Sequence, residues 1–399
     1  MRTENMYTWL NSSAGCRGVR DYFRDVRIFS VLLFALCISY PIVASSVQAQ
    51  NRGAVSGIIY DAETETTLPG AHVYLANTTI GDITDANGFF HIKGVQAGSY
   101  QIIITTIGYK PYQQAIAITP DGNTDLTFKL QRDVYQVGEI TVTDDKPRHW
   151  KRDLSRFKRM FLGITKNRRG CEIEDPFLLS FRTTDGRFTA STTAPLTIIN
   201  RAMGYKITYH LNEFSAKGGE FRFTGQPVFE LMPPKHKKEE KKWGRRRKEM
   251  FEGSFQHFLR SIAANTSYED GFRLYLMDEL NWKQPHTQLL DFYREAKAEI
   301  KQDVLLKEHP LPHERSMQFA GFLHVIYLED MMERDFYEWV AMNYNASKEP
   351  MRAALRLMHT DANFNEIGFL NNAFDVARYG YWNWESGICN WLPFNYEME

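Results

Sequence analysis

The sequence predicts an N-terminal all-β sandwich followed by a mixed α+β domain, on three observations. Seven short segments rich in Val, Ile, Thr, Tyr or Phe follow one another at residues 55–60, 71–75, 81–84, 89–92, 99–106, 109–118 and 126–130. Turn residues separate them: Pro69-Gly70, Asp85-Ala86-Asn87-Gly88, Gly94, Gly98, Gly108 and Asp121-Gly122-Asn123. Beyond Glu172, β-rich segments alternate with helix-period runs. Repeated short strands between turn signals make a sandwich, and the later mixture makes an α+β domain.

Within the first stretch, Asn87-Gly88 tolerates positive φ and predicts a tight hairpin over 84–90, with Phe89 or Phe90 turned into the core. Gly57, Gly88, Gly98 and Gly108 are expected at turns, bulges or close backbone approaches. The stretch carries fold information and almost no chemistry.

The order Val55-Ser56-Gly57, Asp61, Leu68-Pro69-Gly70-Ala71, Val73, Thr84-Asp85-Ala86-Asn87-Gly88-Phe89-Phe90, Gly98-Ser99-Tyr100 and Ile107-Gly108-Tyr109 resembles the carboxypeptidase-regulatory-like domain of Bacteroidetes proteins. The resemblance implies a transthyretin-like seven-stranded sandwich over 52–130. It also implies an accessory role, because this module stands beside peptidases and in front of TonB-dependent receptors and other envelope proteins. Later pieces resemble a group of such envelope proteins to which the resemblance attaches no activity. They are Phe251-Glu252-Gly253-Ser254, His257-Phe258-Leu259-Arg260-Ser261 and Leu392-Pro393-Phe394-Asn395-Tyr396.

Ahead of the sandwich, Arg20, Arg24 and Arg27 precede an apolar run over 28–44, and Val47-Gln48-Ala49 follows. That order is a secretory signal peptide over 1–49, cut after Ala49. A retained anchor is the alternative, at the short edge of what spans a bilayer. The first 49 residues hold five Arg against Glu4, Asp21 and Asp25, so they carry +2. The whole chain is neutral, which leaves the remainder near −2. Such a balance provides no global attraction for nucleic acid or a membrane surface. The expected location is the periplasm or the outer membrane, with peripheral membrane association. The expected partner is an envelope protein or glycan, with no nucleic acid.

Residues 131–170 read as a strand at 139–142 leading into a basic connector. Leu154, Phe157, Met160, Phe161 and Ile164 recur at helical spacing there and predict an amphipathic helix over 151–162. It either packs on the second domain or lies on a membrane or partner surface. The second domain occupies 171–399. Strands are expected at 176–183 and 188–191 around Asp185-Gly186, then at 196–200, 205–213, 221–231, 271–280 and 321–328. A helix is expected over 245–263, and 351–358 also reads as helical. Cys171 and Cys389 remain once 1–49 is removed, and in an exported chain they are either bridged or two distant thiols.

Two surfaces are candidates for ligand binding. Nine Lys or Arg stand at 235, 237, 238, 241, 242 and 245–248 against Glu239 and Glu240. Lys237, Lys238, Arg245, Arg246 and Arg247 could hold an anionic polymer, or form a solvated face. Trp382, Trp384 and Trp391 in the aromatic tail could stack a sugar, or close the core.

Catalytic signatures are incomplete. His-x-x-Glu, the first half of a zinc carboxypeptidase site, occurs at His210–Glu213 and His236–Glu239 without the surrounding pattern. His-Glu-x-x-His, the Gly-x-Ser-x-Gly elbow and phosphate-binding glycine loops do not occur. His257, set among aromatics, reads as a hydrogen-bonded core histidine with Arg260 as neighbour. The expectation is a non-enzymatic envelope protein with no catalytic residue, metal ligand or cofactor. A glycan- or protein-binding module and an enzyme with an unrecognised site are the alternatives.

Overall fold

The computed structural model describes residues 52–133, 148–280, 299–311, 313–340 and 349–398, all within one compact unit. The expected signal peptide, the strand at 139–142 and residues 281–298 lie outside the described residues.

The first seven strands are β1 (Arg52–Asp61), β2 (His72–Leu75), β3 (Gly81–Ile83), β4 (Phe89–Gln96), β5 (Gly98–Thr105), β6 (Tyr112–Ile118) and β7 (Asn123–Leu130). They form two sheets, ordered β4-β1-β7 and β3-β2-β5-β6. Pairing is antiparallel except between β1 and β7, which run parallel over Ala54–Asp61. Alternate residues of the strands meet between the sheets, so Val55, Ile59, Val73, Phe90, Ile102, Ile104 and Phe128 make one core. Ile367, from far along the chain, is buried in that same core.

The turn at Asp85–Gly88 forms as expected, with Asp85 Oδ1 accepting from Asn87 N at 2.8 Å and Phe89 N at 2.9 Å. It is a corner rather than a hairpin, because β3 and β4 belong to different sheets. Phe90 enters the core and Phe89 faces out. Gly57 lies where a Cβ would strike the Leu126 carbonyl, so β7 approaches β1 there as closely as glycine allows.

Helix α1 (Trp150–Phe161) follows, then β8 (Cys171–Ile173), β9 (Leu179–Thr184), β10 (Arg187–Thr192), β11 (Leu196–Asn200), β12 (Tyr205–Lys217) and β13 (Glu220–Leu231). The sheet runs β8-β11-β12-β10-β9, and β13 pairs with β12 in a long hairpin turned by Gly218 and Gly219 at positive φ. The basic helix packs its apolar stripe into this sheet. Phe157 lies 4.8 Å from the Phe214 ring, and Phe161 lies 5.0 Å from Tyr209.

Helices α2 (Lys237–Phe251) and α3 (Phe255–Ala264) replace the single helix expected over 245–263. Gly253, at φ +72°, ends the first, and the Ser254 hydroxyl caps the second by accepting from His257 N at 3.1 Å. The lysine run is therefore helical from Lys237 on. Its start is His236, whose Nδ1 accepts from Glu239 N while Glu239 Oε2 accepts from Lys235 N. The His-x-x-Glu spacing here is a helix-capping pair.

The remaining strands are β14 (Phe272–Met277), β15 (Glu299–Ile300), β16 (Leu306–Lys307), β17 (Glu314–Met317), β18 (Phe322–Met331), β19 (Pro350–Leu357), β20 (Ala362–Asn365) and β21 (Val376–Gly380). Helix α4 (Arg334–Trp339) follows β18, and α5 (Tyr381–Trp384) follows β21. They make a five-stranded sheet, β15-β14-β18-β19-β21, and a small one, β16-β17-β20. Phe258, Leu259 and Ile262 of α3 pack on the five-stranded sheet. The helix expected at 351–358 is the strand β19. Its residues are buried on both faces, which erases the alternation that marks a strand. Among the described residues, no helix is long and apolar enough to cross a membrane.

Candidate functional site

The sandwich is tied to the second domain through its β2–β3 turn. Asn77 N donates to Pro227 O at 2.6 Å, Phe229 N donates to Thr78 O at 3.0 Å, and Phe394 N donates to Asn77 O at 2.7 Å. The turn thus lies between β13 and the C-terminal tail. The tail is itself held by Arg260, which donates to the carbonyls of Ile367 (3.0 Å), Tyr396 (2.8 Å) and Phe394 (2.6 Å). Each arm of the guanidinium fork donates to a different backbone carbonyl.

These ties leave a cavity of about 580 Å³ between the two parts. Ser99, Gln101 and Ala115 of the sandwich form one wall, and Asn212, Phe223 and Gln226 of the β12–β13 hairpin form another. Arg378 of β21, Trp382 of α5 and Trp391 of the tail complete it. Asn212 is the extra residue of a β-bulge between Leu211 and Glu213, which re-aims side chains at that point. The Gln226 Oε1 atom is buried without a hydrogen-bond partner among the described residues.

Among the described lining residues, Arg378 and Glu385 are the one Arg and the one Glu, with no Lys, Asp or His. The Arg378 guanidinium lies 5.3 Å over the Phe255 ring and makes no hydrogen bond or ion pair among the described residues. Burial lowers its pKa to about 10, so it stays cationic at neutral pH. Burial, reinforced by the charge of Glu333, raises the Glu385 carboxyl well above the ordinary carboxylate range. Glu385 also borders a smaller cavity of about 260 Å³ with Lys166, Glu249, Asp330 and Glu333. Neither a histidine nor a cysteine lines the larger cavity.

The basic candidates lie elsewhere and divide into two kinds. Lys237, Lys238 and Arg245 are exposed on α2. Arg246 instead donates to Asn167 Oδ1 and Glu249 Oε2, both at 2.6 Å, and Arg247 donates to Met203 O at 2.8 Å while lying over Tyr205. Arg246 therefore ties α2 to Asn167 and Arg247 ties it to the β11–β12 connection, so these two turn inward and do not stand on an open anion surface.

The aromatic candidates are not an exposed platform. Trp384 is 3% exposed and packs on Tyr381 and Phe336 in the core. Trp382 is 4% exposed, donates from Nε1 to Gly253 O at 2.7 Å and edges the cavity wall. Trp391 is half-buried, near-parallel to Phe223 at 5.7 Å, and lines the cavity.

Cys171 and Cys389 are disulfide-bonded, with Cα atoms 6.3 Å apart. Glu213 pairs with Arg222 at 2.9 Å, and burial lowers the pKa of His210. Among the described residues, no group of three or more His, Cys, Asp or Glu is placed to hold a metal ion. His257 is a core residue whose Nδ1 accepts from Gly253 N at 3.1 Å. Asn212, Gln226 and Arg378 belong to no motif, and no sequence signal brings them together.

Residues 55–142 match the model of the CarboxypepD_reg-like domain, and the N-terminal part of the chain is a domain of that transthyretin-like kind. A chain of a type II cohesin–X-dockerin complex from Acetivibrio cellulolyticus is 33% identical over 19% of this chain and 52% of its own, with a TM-score of 0.17. Klebsiella pneumoniae 5-hydroxyisourate hydrolase is 20% identical over 20% of this chain and 91% of its own, with a TM-score of 0.18. The pilus 2b backbone protein of group B streptococcus is 18% identical over 21% of this chain and 42% of its own, with a TM-score of 0.19. The match thus spans about half of the cohesin–X-dockerin chain. No curated protein matches the chain.

Proposed function

We propose that this chain is an exported, non-enzymatic cell-envelope protein that binds a small ligand, a segment of glycan or polypeptide, between its accessory β-sandwich and its second domain. The carrying observation is the cavity of about 580 Å³ whose walls come from both parts. Its volume falls in the range of about 300–1,000 Å³ typical of ligand sites. Its lining pairs aromatic walls with convergent amide groups. In this reading the sandwich positions the second domain and completes the site.

A ligand search by thermal shift on the purified protein tests the reading, using envelope glycans and peptides. Ala115→Trp places a bulky ring on the exposed sandwich side of the cavity. Stabilisation by a ligand should disappear in that variant while the unliganded melting temperature is kept. Binding that ignores the substitution would place the ligand elsewhere.

Export rests on the Arg-rich start, the apolar run and Ala49. Envelope material should begin at or near Gln50, and a start upstream of Ile28 would overturn cleavage. A second surface is favoured by the exposed Lys237, Lys238, Lys241, Lys242 and Arg245 of α2. Those cations would attract an anionic envelope polymer with strong salt dependence.

A further inference from the structure

The charge of the cavity narrows what it can hold, and this step rests on the reading of the cavity as a ligand site. Arg378 is a cation with no anionic partner among the described residues, while its aromatic neighbour Phe255 leaves its edge donors unused. A half-buried guanidinium that lines a cavity gains from a bidentate anionic acceptor there. The other ionisable lining residue of full charge, Glu385, also borders the smaller cavity beside Lys166 and Glu333, and burial raises its carboxyl well above the ordinary carboxylate range. Among the described lining residues, Arg378 is the one Lys, Arg or His. On the wall formed by the β12–β13 hairpin, Gln226 holds a buried acceptor without a partner among the described residues, and the Asn212 bulge adds an amide that both donates and accepts. Trp391 and Phe223 supply apolar wall. Hydroxyls suit the amides, the C–H faces of a sugar ring suit the aromatics, and a carboxylate suits Arg378 through its planar fork.

We infer that the cavity binds an acidic saccharide, a short uronic-acid-containing oligosaccharide, whose carboxylate is held by Arg378 and whose hydroxyls are held by Gln226 and Asn212.

The test is calorimetric titration of the purified protein with three probes: a galacturonic acid disaccharide, the matching neutral galactose disaccharide, and a short acidic peptide. Wild type should bind the uronate at least about tenfold more tightly than the neutral sugar, as loss of one charge-assisted pair implies. Arg378→Met should remove that preference, bringing the uronate down to the affinity of the neutral sugar. Asn212→Ala, at a bulge, should weaken both sugars and guards against misfolding of the Arg378 variant. Equal binding of the two sugars by wild type would overturn the inference and leave the cavity reading standing. Tighter binding of the acidic peptide than of the uronate would replace a saccharide with a polypeptide. Silence towards all three probes would overturn the inference, and failure of the wider thermal-shift search as well would overturn the cavity reading with it.

Discussion

Asn395 in the C-terminal tail and Thr79 in the sandwich stand 316 residues apart and share two hydrogen bonds. The Asn395 amide oxygen accepts from Thr79 N at 3.0 Å, and its amide nitrogen donates to Thr79 Oγ1 at 2.7 Å. The tail thus fixes the sandwich in place together with β13.

Asn395→Ala should loosen this junction. Two neutral hydrogen bonds are lost, at about 1 kcal/mol each. The expected readout is faster amide exchange at Asn77 and Phe394, whose N–H groups bond across the junction, with the core of β5 unchanged. Unaltered protection at both amides would show that the docking is held by Ile367 and the apolar contacts alone.

Arg260→Lys keeps a positive charge and removes the fork. Lysine cannot reach three carbonyls in one plane, so buried acceptors are stranded. A loss of about 2–4 kcal/mol in chemical denaturation is expected, in line with breaking buried charge-assisted bonds. A change within ~0.5 kcal/mol would mean that water substitutes for the fork.

Acid should destabilise the protein through His257. Burial lowers its pKa from 6.5 to about 4, while its Nδ1 accepts from Gly253 N. Above pH 6.5 both folded and unfolded forms are neutral, and no stability is linked to this group. As the pH falls from 6.5 towards 4, the unfolded chain takes up a proton that the folded chain refuses. Up to about 3 kcal/mol is lost over that window. His257→Asn retains an acceptor and cannot titrate. The difference in stability between wild type and this variant should therefore vary between pH 7 and 4 and flatten below it. A pH-independent difference would show that His257 is not held neutral.

The disulfide joins β8 to the tail across a separation of 218 residues. Closing so long a loop stabilises by about 5 kcal/mol on a chain-entropy estimate. The double substitution Cys171→Ser, Cys389→Ser should lower the denaturation midpoint markedly. Thiol titration of the denatured chain from residue 50 onwards should find no free thiol before reduction and two after it. Two thiols before reduction would remove the bridge.

Reading the strands from sequence works where one face is buried and one is wet. The β11 and β12 segments begin where alternation and turn residues place them. It fails at β19, because Met351, Arg352, Ala353, Ala354 and Leu355 are buried on both faces. It also fails at Gly253-Ser254, where a glycine stop and a serine cap were hidden inside one continuous apolar stripe. Trp382 and Trp384 show the same limit from another side, since composition does not distinguish a ring that packs from one that binds.

The sandwich is legible in the residues alone, because period-two burial, turn glycines and Asp85 act over a few residues and need no distant partner. The residues in its pattern that looked like signature are structural for the same reason. Asp61, buried, accepts from Tyr109 Oη and Arg132 Nε at 2.7 Å each and from two backbone amides. The cavity, by contrast, arises only from the packing of distant segments. Gln101, Asn212, Gln226 and Arg378 come from two parts of the chain, joined by a tail that follows them all. Which side chains face one enclosed volume, and which cation is left without a partner there, depends on how separately folded sheets pack, and no local periodicity encodes that.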